Sequence, residues 1–290
     1  MQIQKSFKDE KTSGCLYLIP TPIGNLQDMT FRSVETLKSV DFICAEDTRN
    51  TGILLKHFDI KTKQISFHEH NSKSKIPDLI DLLKQGFDLA QVSDAGMPSI
   101  SDPGQDLVKE AVKEAISVVA LPGASAGITG LIASGIMPQP HIFYGFLPRK
   151  KGQQIDFFTS KKHYEETQIF YESPFRVLDT LENMISVYGD RQICLVRELT
   201  KVFEEYQRGS ISELITYLHE NTLKGECLII VEGFTKQEVD DKELLSEIDI
   251  KDLVSDLIDQ GLKPNQAIKQ VAKNYKLNRQ DVYTIFHDIN

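Results

Sequence analysis

Leu89-Ala90-Gln91-Val92-Ser93-Asp94-Ala95-Gly96-Met97-Pro98-Ser99-Ile100-Ser101-Asp102-Pro103-Gly104 is the stretch whose reading decides the fold. The run 89–92 reads as a buried parallel strand, and in open α/β sheets ligands bind beyond the carboxyl ends of such strands. Gly96 and the two prolines then stop regular structure, which leaves backbone N–H and C=O groups free to read a ligand. The loop closes on a helix start, with Asp102 as N-cap, Pro103 at the first helical position and Gln105 three residues after the cap. Capping accounts for Asp102. It does not account for Asp94, which is therefore a candidate binding residue.

A second turn, Leu121-Pro122-Gly123-Ala124-Ser125-Ala126-Gly127, follows the apolar run 117–121 and also opens a helix. Two such turns, on strands taken as neighbours, are expected to face one crevice. Neither carries G-x-G-x-x-G or G-x-x-x-x-G-K-[ST] spacing, so the phosphate cradle of dinucleotide and P-loop sites is missing and polyphosphate ligands are disfavoured.

Upstream, residues 14–131 alternate strand-like and helical patterns, the signature of a doubly wound parallel sheet. Strands are expected at 15–19, 40–44 and 64–67, and Thr30 can cap a helix carrying Phe31, Val34, Leu37 and Val40. Another helix carries Ile53, Leu54 and Leu55, and 76–83 reads as a third. His68-Glu69-His70, at the expected end of the third strand, has two imidazoles on one face if the strand continues. No third ligand at metal spacing accompanies them, and a polar rim against substrate is the better reading.

The Gly- and Pro-rich stretch 133–140 marks a boundary. Beyond it, strands are expected at 142–146, 168–171, 192–196, 203–208 and 226–231, with helices at 153–164, 175–188 and 210–221. The fourth strand follows the third too closely for a helical crossover, which predicts a mixed sheet. After Gly233 the chain turns charged and helical, with helices expected at 252–258, 264–275 and 279–289. Gly261 ends the first, Pro264 starts the second and Asn278 caps the third. The short turn before the last helix resembles a helix-turn-helix that would present Arg279, Gln280 and Tyr283 to nucleic acid. Three helices packed without nucleic acid fit the pattern equally. The expected domains are 1–131, 132–236 and a helical tail, 237–290.

With 290 residues, 40% of them hydrophobic, the chain can bury a real core and exceeds one ordinary domain. No apolar run approaches the ~18 residues of a membrane span, and no secretory h-region is visible. The four cysteines, Cys15, Cys44, Cys194 and Cys227, sit in apolar runs without C-x-x-C pairing. They read as reduced core residues of a cytoplasmic protein. The net charge of −9 argues against a surface that binds nucleic acid everywhere. Its distribution is uneven: residues 237–260 carry nine acids and two bases, and residues 261–290 carry five bases (Lys263, Lys269, Lys273, Lys276, Arg279) and two acids. A second basic cluster is Arg149-Lys150-Lys151, backed by Lys161 and Lys162.

Taken together, several motifs are similar to those of the tetrapyrrole-methylase superfamily of S-adenosylmethionine-dependent (class III) methyltransferases. They are the two Gly-rich turns, Thr21-Pro22-Ile23-Gly24-Asn25-Leu26, Ala45-Glu46-Asp47-Thr48-Arg49, Phe170-Tyr171-Glu172-Ser173-Pro174-Phe175-Arg176, Arg197-Glu198-Leu199-Thr200-Lys201 and Gly225-Glu226-Cys227. The match covers residues 14–233, and the nearest branch is the one that methylates a cytidine 2′-hydroxyl of 16S ribosomal RNA in the small subunit. Met97 departs from the family's usual Thr, which puts a side-chain contact there in question but not a pocket made by backbone.

The resemblance implies two α/β/α domains with a C-terminal helical appendage, a homodimer, no metal, and S-adenosylmethionine in the cleft between the domains. It implies donor contacts from Pro22, Ser93, Asp94, Ala95, Gly96, Pro122, Gly123, Ser125 and Ala126, with Tyr171, Leu199 and Glu226 from the second domain. A ribose hydroxyl must shed its proton as it attacks. Glu46, Asp47 and Glu172 are the carboxylates expected at the cleft, and Arg49 and Arg176 the groups able to hold RNA phosphate. Glu46, Asp47, Arg49 and Glu172 are the catalytic candidates. Two other readings share the fold: a tetrapyrrole (precorrin-like) C-methyltransferase, and a non-catalytic RNA-binding protein.

Overall fold

The computed structural model describes residues 3–4, 13–235, 247–259, 261–275 and 277–287. They fall into two compact units, Met1–Phe234 and Thr235–Asn290.

The first sheet of the larger unit contains β1 (Cys15–Leu18), β2 (Phe42–Ala45), β3 (Lys63–Ser66), β4 (Leu89–Val92) and β5 (Ser117–Ala120). All pair in parallel, in the order β3-β2-β4-β1-β5. A parallel sheet is covered on both faces, which is why the inner strands read as largely apolar runs, whereas the edge strand β3, Lys63-Gln64-Ile65-Ser66, does not. On one face α1 (Phe31–Ser39) and α2 (Thr48–His57) bury Leu37 and Leu55 against Ile19, Ile43, Ala90 and Val92. On the other, α3 (Ser72–Lys84) and α4 (Gly104–Lys113) bury Leu79, Leu83 and Leu107 against Leu16, Cys44 and Leu89. Thr30 caps α1 as expected, its hydroxyl accepting from the Ser33 N–H at 3.1 Å.

Strand order corrects one expectation. β4 and β5 are not neighbours, because β1 lies between them, and the loop after β1 is thereby placed between the two Gly-rich turns. Periodicity identifies strands but is blind to which strand a crossover skips. At His68-Glu69-His70 only the extent of the strand is corrected, since the two imidazoles do lie together with ring centroids 5.9 Å apart. β3 ends at Ser66, and His68 opens a turn in which its N–H donates to the Asn71 side chain at 2.9 Å.

The second sheet contains β6 (His141–Phe146), β7 (Thr167–Glu172), β8 (Gln192–Arg197), β9 (Glu205–Ser210) and β10 (Cys227–Val231), ordered β6-β7-β10-β8-β9. It is mixed: β6 and β7 are parallel and the other pairs antiparallel. β9 starts two residues later than expected, since the 198–204 turn occupies the gap. One face is covered by α6 (Lys151–Lys161), α7 (Val177–Tyr188) and α8 (Ile211–Glu220), over a core that includes Phe158, Phe170, Leu181 and Ile229. Ser210 and Glu213 form a capping box at the start of α8. α6 also separates the second basic cluster. Arg149 to Lys151 stand at its start and Lys161 and Lys162 at its end, roughly 15 Å apart at 1.5 Å per residue.

The other face of the second sheet meets α5 (Ala126–Ser134), the helix that leaves the first sheet's last strand. Leu131 and Ala126 pack with Ile169, Val196, Leu228 and Ile230. The approach is close because Gly127 and Gly130 face the sheet. A Cβ on Gly130 would lie 2.3 Å from Leu228 Cδ2, and one on Gly127 3.4 Å from the Phe143 ring. Arg208 of β9 completes the joint, donating to the carbonyls of Ala133 at 2.7 Å and Ser134 at 3.0 Å at the end of α5, where orphan carbonyls and the helix dipole favour a cation.

In the smaller unit, α9 (Glu247–Asp259), α10 (Pro264–Asn274) and α11 (Arg279–Phe286) share a core of Ile250, Val254, Ala267, Ile268, Val271 and Val282. Gly261 takes φ +98° after α9, Pro264 opens α10, and Asn278 accepts from the Gln280 N–H at 2.8 Å. The expected end of the third helix at 289 lies outside the described residues, as do Lys276 and the acidic stretch 237–246.

Candidate active site at the carboxyl ends of the first sheet

The loop after β4 is held by its own polar groups. Gly96 takes φ +77°, a region costly for side chains other than glycine. Its N–H and C=O both bond Thr21, each at 3.0 Å, in an isolated antiparallel bridge. The Thr21 hydroxyl donates to the Ser93 carbonyl at 3.1 Å, and the Ser93 hydroxyl to the Gly96 carbonyl at 3.2 Å. Farther along, Asp102 accepts from the Ser99 N–H, the Gly104 N–H and the Gln91 amide, at 2.8, 2.8 and 2.9 Å. Its bond from the Gly104 N–H leads the chain into α4, but the N-cap is Pro103, one residue later than the sequence indicates, and regular helix begins at Gly104. Burial raises the Asp102 carboxyl pKa in spite of these three donors. Gly104 is required because a Cβ there would sit 1.8 Å from the Gln91 amide.

Three loops meet around Gly96. Its Cβ direction points 3.3 Å from Ile23, of the loop after β1, and 3.5 Å from the Ala124 carbonyl, of the loop after β5. Gly123 in turn lies against Pro20, whose ring would be 2.5 Å from a Cβ. Pro22, Asp94, Ala95, Pro122, Gly123, Ser125 and Ala126 are all at least partly accessible, while Ser93 and Gly96 are buried beneath them. The nine donor-site residues expected from the first domain thus fall on three adjacent loop ends.

The acceptor candidates stand on the next strand end. Asp47 caps α2, accepting from the Arg49 N–H at 2.8 Å, and also takes the Arg49 guanidinium at 3.0 and 2.6 Å. Those bonds hold its carboxyl far below the usual range, which makes it a poor proton acceptor. Arg49 keeps its outer face in solvent, with a side chain 88% exposed. Asp94 reaches across from the loop after β4, accepting from the Asp47 N–H at 3.2 Å and the Asn50 amide at 3.3 Å. Glu46 lies in the same cluster. Burial, then the charge of Asp94, push its carboxyl up, against a hydrogen bond from the Asp94 backbone. Asn50 escaped the sequence reading. Its place in the first turn of α2, beside the Glu46-Asp47 pair, was the available signal.

The second sheet brings Tyr171 and Leu199 to the same seam. Both pack with Ile23, Ala126 and Leu131, and Tyr171 has the rings of Phe143 and Phe146 at 5.0 and 5.3 Å. Burial, then the Glu226 charge, raise the Tyr171 hydroxyl pKa. Leu199 sits in a strained turn, between Glu198 at φ +49° and Thr200 at φ +66°. Lys201 straps that turn by donating to Glu198 and Glu226, both at 2.9 Å, and Gly24 lies close enough that a Cβ would meet its side chain at 2.6 Å. Lys201 was read as part of a motif and not as a contact. Glu172 is placed differently from the other carboxylates. It is 3% exposed, and its bonds go to the Thr180 hydroxyl (2.9 Å), the Ser173 N–H (2.8 Å) and Arg176 (3.2 Å) of its own half. Among the described residues no group of three or more His, Cys, Asp or Glu is arranged to hold a metal ion.

Comparison with known proteins gives this geometry a family. Residues 15–215 match the model of the Tetrapyrrole (Corrin/Porphyrin) Methylases. The chain is 71% identical over 290 residues to a Streptococcus pyogenes protein named Ribosomal RNA small subunit methyltransferase I, with 100% of each covered. A Bacillus subtilis protein of the same name is 47% identical over 285 residues, covering 98% of each. Among solved structures, diphthine synthase superposes with a TM-score of 0.59 at 12% identity, over 78% of this chain and 92% of that one.

Proposed function

The chain belongs to the tetrapyrrole methylase family, and we propose that within it this protein transfers a methyl group to the 2′-hydroxyl of a cytidine in 16S ribosomal RNA of the small subunit. The acceptor is taken from the name borne by relatives that match the whole chain. The donor site rests on one observation: three Gly- and Pro-rich loops converge on Gly96 with no phosphate cradle among them. S-adenosylmethionine, the donor of this family, supplies the methyl group.

The residues present fit that donor. The accessible loop residues Asp94, Ala95 and Pro122 to Ala126 suit its carboxylate, amino group and ribose. Ile23, Tyr171 and Leu199 offer an apolar wall, and the carboxylate of Asp94 favours a cationic ligand. Direct displacement needs alignment and exclusion of water more than covalent help. The chain's own contribution is then the removal of the ribose proton. Of the four catalytic candidates, Glu46 has a carboxyl that its surroundings make more basic, and it receives that proton. Asp47 fixes Arg49, whose exposed guanidinium holds an RNA phosphate. Glu172 ties the end of β7, the strand that carries Tyr171, to Thr180 of α7.

We also propose that the enzyme works as a homodimer in the cytoplasm. In support, Phe175, Val202, Phe203 and Ile132 are 89%, 94%, 71% and 73% exposed, and Val202 and Phe203 are consecutive. Among the described residues no helix is long and apolar enough to cross a membrane. Purified protein should transfer labelled methyl from S-adenosylmethionine to small subunits from cells lacking it, with mass spectrometry placing the label on a cytidine ribose. Transfer to a precorrin and none to RNA overturns this reading in favour of a tetrapyrrole acceptor. Failure to bind the donor at all leaves an RNA-binding scaffold.

A further inference from the structure

The sequence pattern draws attention to α11 as the nucleic-acid-reading helix, because it follows the turn and carries Arg279, Gln280 and Tyr283. The structure favours its neighbour. Buried Ala267, Ile268, Val271 and Ala272 define one side of α10, and at 100° per residue its opposite side is Gln266, Lys269, Gln270, Lys273 and Asn274. All five are exposed. α10 contains no Asp or Glu along its whole length, Pro264–Asn274. Its solvent face is therefore made of ammonium and amide groups alone. Among the described residues neither Lys269 nor Lys273 is recorded in an ion pair, and the two lie one turn apart. Arg279, at the start of α11, is likewise exposed, but that helix places Asp281 beside it. The remaining helix of the unit is of opposite sign, with Asp252, Asp256 and Asp259 on its exposed side.

We propose that the exposed face of α10, centred on Lys269 and Lys273, docks the phosphate backbone of RNA. Lysines separated by one helical turn suit consecutive phosphates, and flanking glutamine and asparagine amides donate to phosphate or sugar oxygens without reading sequence. A rigid three-helix core fixes this spacing before RNA arrives, so little ordering entropy is lost on contact. The partner's class, RNA rather than another polyanion, rests on the function proposed above. Phosphate contact on this face does not depend on which nucleotide is methylated.

The test uses the full chain with Lys269→Gln and Lys273→Gln together, which removes two charges and keeps good helix formers on exposed positions. The probe is a labelled hairpin of small-subunit RNA, with dissociation constants read by anisotropy between 50 and 200 mM KCl. Each lost phosphate contact lowers the slope of log affinity against log salt by about 0.7–0.9. The wild type should therefore lose about 7- to 12-fold more affinity than the double variant across that range, while both bind S-adenosylmethionine equally. Equal slopes for the two proteins overturn the inference. So does a variant weakened by the same factor at every salt concentration, which would mark a contact that releases no counterions. Methyl transfer by the wild type is measured alongside. If it methylates small-subunit RNA and the slopes are equal, only the docking face is refuted. If it methylates none, the acceptor assignment fails while the slopes still report on α10.

Discussion

Replacing Gly96 tests the donor site most directly, because the backbone there is fixed from two sides. Its φ of +77° would cost an alanine about 1–2 kcal/mol. The chain cannot rotate away without surrendering both hydrogen bonds to Thr21, each worth about 0.5–1.5 kcal/mol net. Gly96→Ala should therefore lower stability by about 1–2 kcal/mol if the strain is accepted, or about 1–3 kcal/mol if both bonds are surrendered, seen as a lower urea midpoint at unchanged m. Gly96→Val adds branching to a Cβ already 3.3 Å from Ile23 and 3.5 Å from the Ala124 carbonyl. Overpacking of that kind adds about 1–3 kcal/mol, and it separates the three loops that the donor would bridge. Isothermal titration with S-adenosylmethionine should show affinity at least about tenfold weaker for Gly96→Val, equivalent to about 1.4 kcal/mol. Gly152 has nothing within 4 Å of its Cβ direction, so Gly152→Val is the control that should bind normally. A folded Gly96→Val protein with wild-type donor affinity refutes the placement of the donor on these loops.

Three further outcomes follow from the same contacts. Glu46→Gln should lower kcat by about 10²–10⁴-fold, the usual range for a lost general base, with donor affinity unchanged. The wild-type rate should rise with pH through a value above the ordinary carboxylate pKa, because burial raises that of Glu46. Stability takes the opposite sign. The fold favours the protonated form, so this contribution is complete below the ordinary value of 4.5 and is lost as pH rises through the raised one; a Gln variant lacking that trend in pH-dependent unfolding confirms it, and an unchanged trend rejects it. Glu172→Ala should cost about 1–3 kcal/mol in urea unfolding by leaving the buried Thr180 hydroxyl proton without its acceptor, although the oxygen still receives the Gln154 amide; a loss of turnover at wild-type stability would instead give Glu172 a chemical role. At micromolar concentration the wild type should sediment as two chains, and Val202→Asp with Phe203→Asp as one; a wild type that sediments as a single chain removes the dimer.

What the sequence made legible was local. Strand 89–92, the caps at Thr30 and Asn278, and the mixed character of the second sheet follow from patterns only a few residues long, and the structure keeps them. What it hid depends on which elements meet. Insertion of β1 between β4 and β5 leaves no trace in periodicity, yet it is what brings Ile23 to Gly96. The same holds for α5. Its sequence reads as an all-round apolar helix of the first half, and only the close approach of Gly127 and Gly130 to Phe143 and Leu228 shows that it serves the second sheet. Glu46, Asp47 and Glu172 look alike in sequence. Burial sets Glu46 apart as the carboxylate of raised pKa, and hydrogen-bond partners make Asp47 a fixed ion-pair partner and Glu172 a buried strap.

The placement of charge follows from the two ligands proposed. The donor is a cation and the acceptor a polyanion, so a site attractive to one repels the other. At the strand ends the carboxylates of Glu46, Asp47 and Asp94 cluster, and Asp94 is bonded to the very residues, Asp47 and Asn50, that open the acceptor side. Such a cluster draws a sulfonium and resists phosphate. Arg49 offsets it only at the rim, with part of its charge already spent on Asp47. A chain of net charge −9 must then find its attraction for RNA elsewhere. An acid-free helix with Lys269 and Lys273 on its open face supplies that attraction.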